Sequence, residues 1–531
     1  MSVKSFPARG VSAVDKSFLA NRFKTKLIGA AASVAMLVLL AACSTNANIT
    51  GVGCSGNTGS FSNASLPANS QWTFELSGWQ GNTSASSGIS PYREAGVFTA
   101  DGKGNLTAAA DDFYQQGLGG TTGLFSNTGL TGSYNITANG TGTLTLKFPN
   151  TSTTENWAIT MQGNSFYIIE TDNFASAHGV AHMQTSPFAA PTGTFAFRVH
   201  ALGSVSGFSA AVGTMSVTSG TINSGTVDLL NGGVLSTVAV SGAFAAPDTT
   251  GRGTATIAYG GSSFTFVYYV IDANTVQLFE NDSNLGLGRM EAQIGAGSLT
   301  NASLMGPYAF GSFGDTANSY DGTKTVGQIT ADGAGGLSSG SYDGAQDGTV
   351  SSIASVTGSY NMSANGRFTL QINGAGASAV SIVGYLVNTG RAFFLINDPT
   401  KVEDGTMDQQ SGSAFTTSSL TGQYAMVMGG YDPTDVVDRS GVVSSDGNGN
   451  LNTSYVLNRT GVVSAPGCIS GTYTVAANGR VLANVSSLSS NLIFYVVNAN
   501  EVYVLQGDGG TEIFGGLALQ QGSVTDPPGG F

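Results

Sequence analysis

Three aspartates offer the most regular chemistry in this chain. Asp112, Asp228 and Asp343 recur at matching places in three copies of an internal repeat, with Leu457 in the fourth copy. One reading is a ligand site in each copy; the other is a carboxylate that caps a turn or lies on a wet face. Asp111 and Asp112 do not form a catalytic carboxylate pair, because adjacent strand residues point to opposite faces. Asp446, Asn448 and Asn450 occupy the first, third and fifth places of a calcium-type loop. Such a loop also needs Gly at place six and a bidentate Glu at place twelve. Leu451 and Leu457 stand there instead, so the segment reads as a plain hairpin turn. His178 and His182 would share one face of a strand, but zinc needs a third ligand that the pattern does not nominate, and His200 stands apart. Trp79, beside Gly78, Gln80 and Gly81, is a candidate for stacking on a sugar ring if it lies in an exposed loop past the first strand. No Gly-x-Ser-x-Gly elbow sits in a strand–turn–helix setting, and the Gly-rich segments run into strands, leaving no helix N-terminus to hold phosphate. No metal or cofactor is expected, and no catalytic residues are nominated.

The elements that carry these residues repeat with a period of about 115 residues. Each copy opens on a small residue, a spacer and an aromatic: Ser70-Gln71-Trp72, Gly193-Thr194-Phe195, Gly306-Pro307-Tyr308 and Gly422-Gln423-Tyr424. Asp-Gly and Asn-Gly turns follow, as at Asp101-Gly102, Asp332-Gly333, Asn365-Gly366 and Asn478-Gly479. Such dipeptides between strand-like runs signal hairpins, because both turn residues need positive φ. Each copy closes on Gly, four residues, then Gln: Gly179 to Gln184, Gly288 to Gln293, Gly405 to Gln410 and Gly516 to Gln521. The expected fold is all-β, with four tandem antiparallel domains of about eight strands each, as small up-and-down barrels or sandwiches. A propeller is a third option. In outline each repeat looks like the small lipocalin or avidin barrel, an analogy that carries no function.

The N-terminus supplies an address. Residues 1–26 carry six basic residues against one acid, and an apolar, Ala-rich run from Leu27 to Ala42 ends at Cys43. A basic segment, a short apolar core and small residues before a cut describe an export signal. Leu40-Ala41-Ala42-Cys43 resembles the lipobox of bacterial lipoproteins. That resemblance implies a diacylglycerol on the Cys43 sulfur and cleavage just before it. Ser44 and Thr45, rather than Asp, follow the cysteine, and by the same resemblance this favours the outer over the inner membrane. The Gly/Ser/Thr-rich repeats also resemble those of surface lipoproteins of environmental bacteria.

The expected domains are a signal peptide (1–42), a lipidated Cys and flexible tether (43–65), repeats at 66–187, 188–296, 297–411 and 412–521, and a loose tail (522–531). After cleavage Lys plus Arg falls from 19 to 13 and Asp plus Glu from 32 to 31, giving a net charge of −18. Such a surface repels nucleic acid. Cys54 and Cys468 remain, and the sequence leaves open whether they pair. The expected function is a non-catalytic, anchored envelope lipoprotein for binding, adhesion or structure. Its expected partners are the membrane, envelope polymers, glycans or other surface proteins. Alternatives are a lipocalin-like carrier of apolar ligands and an envelope enzyme of unrecognised class.

Overall fold

A computed structural model describes residue 54 and residues 59–522, apart from 81–89, 116–122, 174, 204–206, 283, 318, 347, 375–377, 413, 432–435, 466, 486–489 and 507–512. The signal peptide, the lipobox with Cys43, and the tail from 523 lie outside the described residues. No described helix is long and apolar enough to cross a membrane.

The chain folds as four antiparallel eight-stranded barrels in tandem. Barrel 1 comprises β1 (Ser70–Gln80), β2 (Ser90–Ala100), β3 (Asn105–Gln115), β4 (Gly123–Ile136), β5 (Thr141–Lys147), β6 (Thr154–Met161), β7 (Ser165–Glu170) and β8 (Ala175–Met183). Each strand pairs with the next, and β8 returns to pair with β1, so no sheet edge is left open. Barrel 2 runs from Gly193–Gly203 to Gly286–Ala292, barrel 3 from Met305–Thr316 to Lys401–Gln409, and barrel 4 from Thr421–Tyr431 to Ile513–Gln520. In barrels 3 and 4 the fourth strand is broken in two, as Thr349–Ile353 and Val356–Met362, and as Val462–Ser464 and Ile469–Val475. Both pieces still pair with the third strand. Sandwich and propeller are thereby excluded.

The opening aromatics point inward. Trp72, Phe195, Tyr308 and Tyr424 each join the core of their own barrel, where Trp72 stacks on Phe98 at 6.2 Å. The Asp-Gly and Asn-Gly turns form, but only their glycines take positive φ, as at Gly102, Gly333, Gly366 and Gly479, and the preceding Asp or Asn does not. The Asp446 carboxylate accepts hydrogen bonds from the Asn448 and Asn450 backbone amides and the Asn450 side chain, which ties the turn together. The same bonds, those to Asn450 foremost, hold the Asp446 carboxyl below its ordinary range.

Some strands are apolar on both faces. Ser262–Asp272 ends in a continuous buried run, and Ser165–Glu170, Thr275–Glu280 and Glu501–Gln506 are buried throughout. In a free barrel alternate residues would meet water. Here Phe266 and Tyr268 fill barrel 2, while Val267 and Tyr269 join a second cluster built from residues of all four barrels. The fifth strands, by contrast, alternate in and out, as in Arg252–Tyr259 and Arg367–Gly374. Each barrel therefore has a solvent side and sides that face other barrels.

Candidate functional site

The closing glutamines show how the barrels meet. Gln184 Nε2 donates to the Thr250 and Val270 carbonyls of barrel 2 at 3.1 and 2.7 Å. Gln293 makes the matching pair of bonds to Asn365 and Leu386 of barrel 3, and Gln410 to Asn478 and Val496 of barrel 4. No fifth barrel exists among the described residues, yet Gln521 makes the same two bonds, to Asn139 (3.0 Å) and Met161 (2.9 Å) of barrel 1. The four barrels thus close into a ring with four related seams.

Three seams carry the recurring aspartates. Asp112 receives Arg252 in a bidentate ion pair, with Nε to Oδ2 and NH2 to Oδ1 both 2.7 Å, and also the Tyr269 hydroxyl. Asp228 receives Arg367 (2.7 and 2.8 Å) and Tyr385 (2.8 Å). Asp343 receives Arg480 (2.7 Å twice) and Tyr495 (2.7 Å). Ser126, Thr237 and Ser352 of the aspartate's own barrel complete each set. All three aspartates are 0% exposed, which corrects the reading of a turn cap or wet face. A planar guanidinium fork on a carboxylate gives geometric specificity as well as energy. Each latch fixes barrel n against barrel n + 1.

The fourth seam departs from this pattern. Strand register places Val456, not Leu457, at the aspartate position, because barrel 4 lacks the bulge found in the third strands of barrels 1 and 3. Leu457 packs on the barrel 4 core. Thr141 and Thr160 stand where the other copies have Arg and Tyr. Other contacts hold this seam. Asn458 donates to the Glu170 and Ala175 carbonyls, Ser440 bonds Thr160 at 2.9 Å, and Ser176 bonds Asp438 at 2.6 Å. A disulfide joins Cys54 to Cys468, 414 residues apart. Within the expected tether, Phe61 packs on the barrel 1 core and Asn63 accepts the Ile136 amide, so part of 43–65 is held against the barrels.

Charges converge on the ring axis, around a cavity of about 60 Å³ lined from all four barrels. One row of positions supplies most of them, with Arg198 and Asp315 beside it: the outward residue near the end of each first strand and its two cross-strand partners. That row reads Ser77, Arg93 and His178 in barrel 1; His200, Ala210 and Leu287 in barrel 2; Phe313, Lys324 and Asp404 in barrel 3; Gly429, Asp438 and Gly515 in barrel 4. The backbone is four-fold in pattern, but the side chains differ at every copy. His178 Nδ1 lies 2.6 Å from Asp438, and His200 Nδ1 lies 2.6 Å from Asp404, which also takes Arg198 at 3.0 Å. Gly429 is required here: a Cβ on it would lie 2.0 Å from the His178 ring.

Burial opposes charge on His200, but Asp404 and Asp315 outweigh it and raise its pKa to about 9. Burial lowers Lys324 to about 8 against the pull of Asp315 and Asp438. His200 is ordinarily half-charged near pH 6.5, so its contribution is complete below about 6.5 and is lost as pH rises through about 9. Thermal melts across pH 6–10 should therefore show the advantage of the natural chain over His200→Gln shrinking with alkali. A constant or widening gap would contradict the assignment.

Trp79 belongs to β1, is 3% exposed and joins the cluster between barrels, which corrects the expectation of an exposed loop past the first strand. His182 is 2% exposed, with Nε2 3.3 Å from Arg289 of barrel 2. His178 and His182 do share one face of β8 but reach different neighbours. Sequence reading missed Arg252, Arg367 and Arg480, each of which follows the turn glycine of its copy.

The barrel interiors are mostly packed with side chains. Barrel 3 holds a cavity of about 470 Å³ at one mouth, where Gly344 and Ser351 replace the Phe113–Phe125 stack of barrel 1.

No family model matches the chain, and no curated protein matches it. Solved structures that align with it include a double mutant of transferrin binding protein B from Haemophilus parasuis, 11% identical, covering 64% of this chain and 75% of that one at a TM-score of 0.19. A single mutant of the same protein gives 11% identity, 64% and 76% coverage and a TM-score of 0.20. The isotype 1 protein from serogroup B Neisseria meningitidis gives 12%, 68% and 85%, with a TM-score of 0.17. Likeness at this level carries no argument about fold or function. The class this chain defines rests on its own geometry: an all-β ring of four latched barrels.

Proposed function

We propose that this chain is an envelope lipoprotein, acylated on Cys43, whose ring acts as a rigid non-catalytic module for binding or structural support. The carrying observation is the closure by Gln521, which turns four small barrels into one body. The charged side chains in the seams and on the axis serve that body. The aspartates Asp112, Asp228, Asp343, Asp404 and Asp438 are each engaged by a cation or imidazole of another barrel. Asp112, Asp228 and Asp343 therefore act as latches, and Trp79 as seam packing.

The position of Cys54 fits an anchored ring. With Cys54 tied to barrel 4, only ten residues lie between that fixed point and Cys43. Two or more acyl chains hold a protein stably at a bilayer. The outer membrane is the favoured site, with glycans, envelope polymers or other surface proteins as the class of partner.

Labelled palmitate should enter the natural chain but not Cys43→Ser, and the natural chain should sediment with membranes while Cys43→Ser lacking its signal peptide should not. The soluble Cys43→Ser ring should then be retained on isolated cell-wall or glycan matrices. Absence of label on the natural chain would overturn the anchor. Labelling without retention on any matrix would overturn the binding role.

A further inference from the structure

Barrel 1 differs from its siblings in its interior. Glu94 on β2, Asp111 on β3 and Glu155 on β6 place one carboxylate oxygen each within 4.8 Å of one another. Glu170 on β7 joins them beside Glu155. Glu94, Asp111 and Glu170 are at most 2% exposed. Each commits one oxygen: Glu94 Oε2 accepts the Tyr92 hydroxyl at 2.5 Å, Asp111 Oδ1 accepts Asn127, and Glu170 Oε1 accepts the Asp172 amide. Asp111 Oδ2 is buried and has no hydrogen-bond donor, and the buried Glu94 Oε1 and Glu170 Oε2 have none either. Beyond the bonds just given, these two side chains are within hydrogen-bond reach only of neighbouring carboxyls, Glu155 for both.

Every buried aspartate of the seams has a cation or imidazole beside it. Here the charges that act most strongly on the four carboxyls are other carboxylates: each other, Asp112 and Asp172. The connections that flank these strands, 81–89, 116–122, 148–153 and 171–174, contain no Lys, Arg or His. An isolated buried carboxylate is costly unless paired or bound to metal.

The fold itself does not call for acids at these places. Register puts Ala211, Val227 and Phe264 of barrel 2 where barrel 1 has Glu94, Asp111 and Glu155. Glu280 alone matches Glu170. In barrel 3 the four places hold Thr325, Tyr342, Val380 and Ile396. A barrel of this design closes without any of the four acids.

We propose that the carboxylates of Glu94, Asp111, Glu155 and Glu170 bind one divalent cation of the calcium type inside barrel 1. Calcium takes six to eight oxygen ligands in flexible geometry, which unpaired carboxylate oxygens and solvent supply. The ion would supply the positive charge that the buried aspartates of the seams receive from arginine or histidine. Burial foremost, then crowding by Glu155, pushes the Asp111 carboxyl up to about 8, so without an ion it holds a proton at neutral pH. Ion or proton is the choice the experiment decides.

Trp157 provides the readout, since its indole nitrogen donates to Glu155 at 2.7 Å. Terbium(III) added to the purified full chain should give saturable emission under tryptophan excitation, at one ion per chain. Calcium should displace it and raise the melting temperature. Glu94→Gln and Asp111→Asn should each weaken terbium at least about tenfold, while Glu280→Gln in barrel 2 leaves it unchanged. If either barrel 1 variant fails to fold, the calcium competition and melting shift of the natural chain decide the matter. No saturable emission, no calcium effect on melting, or emission equal in folded Glu94→Gln would overturn the site and leave the carboxyls sharing protons.

Discussion

Arg367→Ala should destabilise the folded chain by about 3–5 kcal/mol, the range for breaking a buried ion pair from one side. Asp228 is fully buried, and removal of the arginine leaves its carboxylate with only the hydroxyls of Tyr385 and Thr237. The cost is mostly that of the stranded charge rather than the worth of the pair. A triple variant tests this reasoning. Asp228→Val with Arg367→Thr and Tyr385→Thr installs the residues that the fourth seam uses at Val456, Thr141 and Thr160. It should recover most of the loss in chemical denaturation. If the triple variant is as unstable as Arg367→Ala, the latch is required for packing and not for charge balance.

Reduction of the disulfide should loosen one seam and spare three. The Cys54–Cys468 link bridges barrel 4 and the segment leading into barrel 1, at the seam that lacks an Asp–Arg–Tyr latch. Removing a long-range crosslink of this kind costs about 2–5 kcal/mol. In the double variant Cys54→Ser/Cys468→Ser, amide exchange should rise along β7, β8 and the second and third strands of barrel 4, where Ser176, Asn458 and Asp438 meet. Exchange at the seams held by Asp112, Asp228 and Asp343 should stay slow. A uniform rise around the ring would show that the disulfide acts on the whole fold and not on one junction.

Much of the fold was legible. The Gly-x-aromatic openings and Asn-Gly turns announce hairpins locally, because positive φ at residues such as Gly366 and Gly479 leaves few alternatives. The apolar strands were legible as strands, but not the reason both faces are apolar, which lies in the seams. The latches were half visible. The aspartate occurs in repeats one to three, and the arginine and tyrosine in repeats two to four. That one-copy offset is the signature of Asp in one barrel meeting Arg in the next, and the leftover Val456 and Thr141 belong to the seam that closes the ring. The closing glutamine was recognised as a landmark without its role, because its partners are carbonyls that no side-chain pattern reveals. The axial charges were not legible, since Arg93, Ala210, Lys324 and Asp438 occupy one repeat position with four different residues. Whether Cys54 and Cys468 meet depended on ring closure, which separation in sequence hides.

Ring closure itself is most directly tested by small-angle X-ray scattering of the Cys43→Ser chain lacking its signal peptide. A closed ring should give a radius of gyration close to the roughly 23 Å of a compact chain this long, with a single-peaked distance distribution that Arg367→Ala leaves compact under native conditions. A much larger radius with the drawn-out profile of four beads on a string would contradict closure, and with it the latches, the axis and the short link to the membrane.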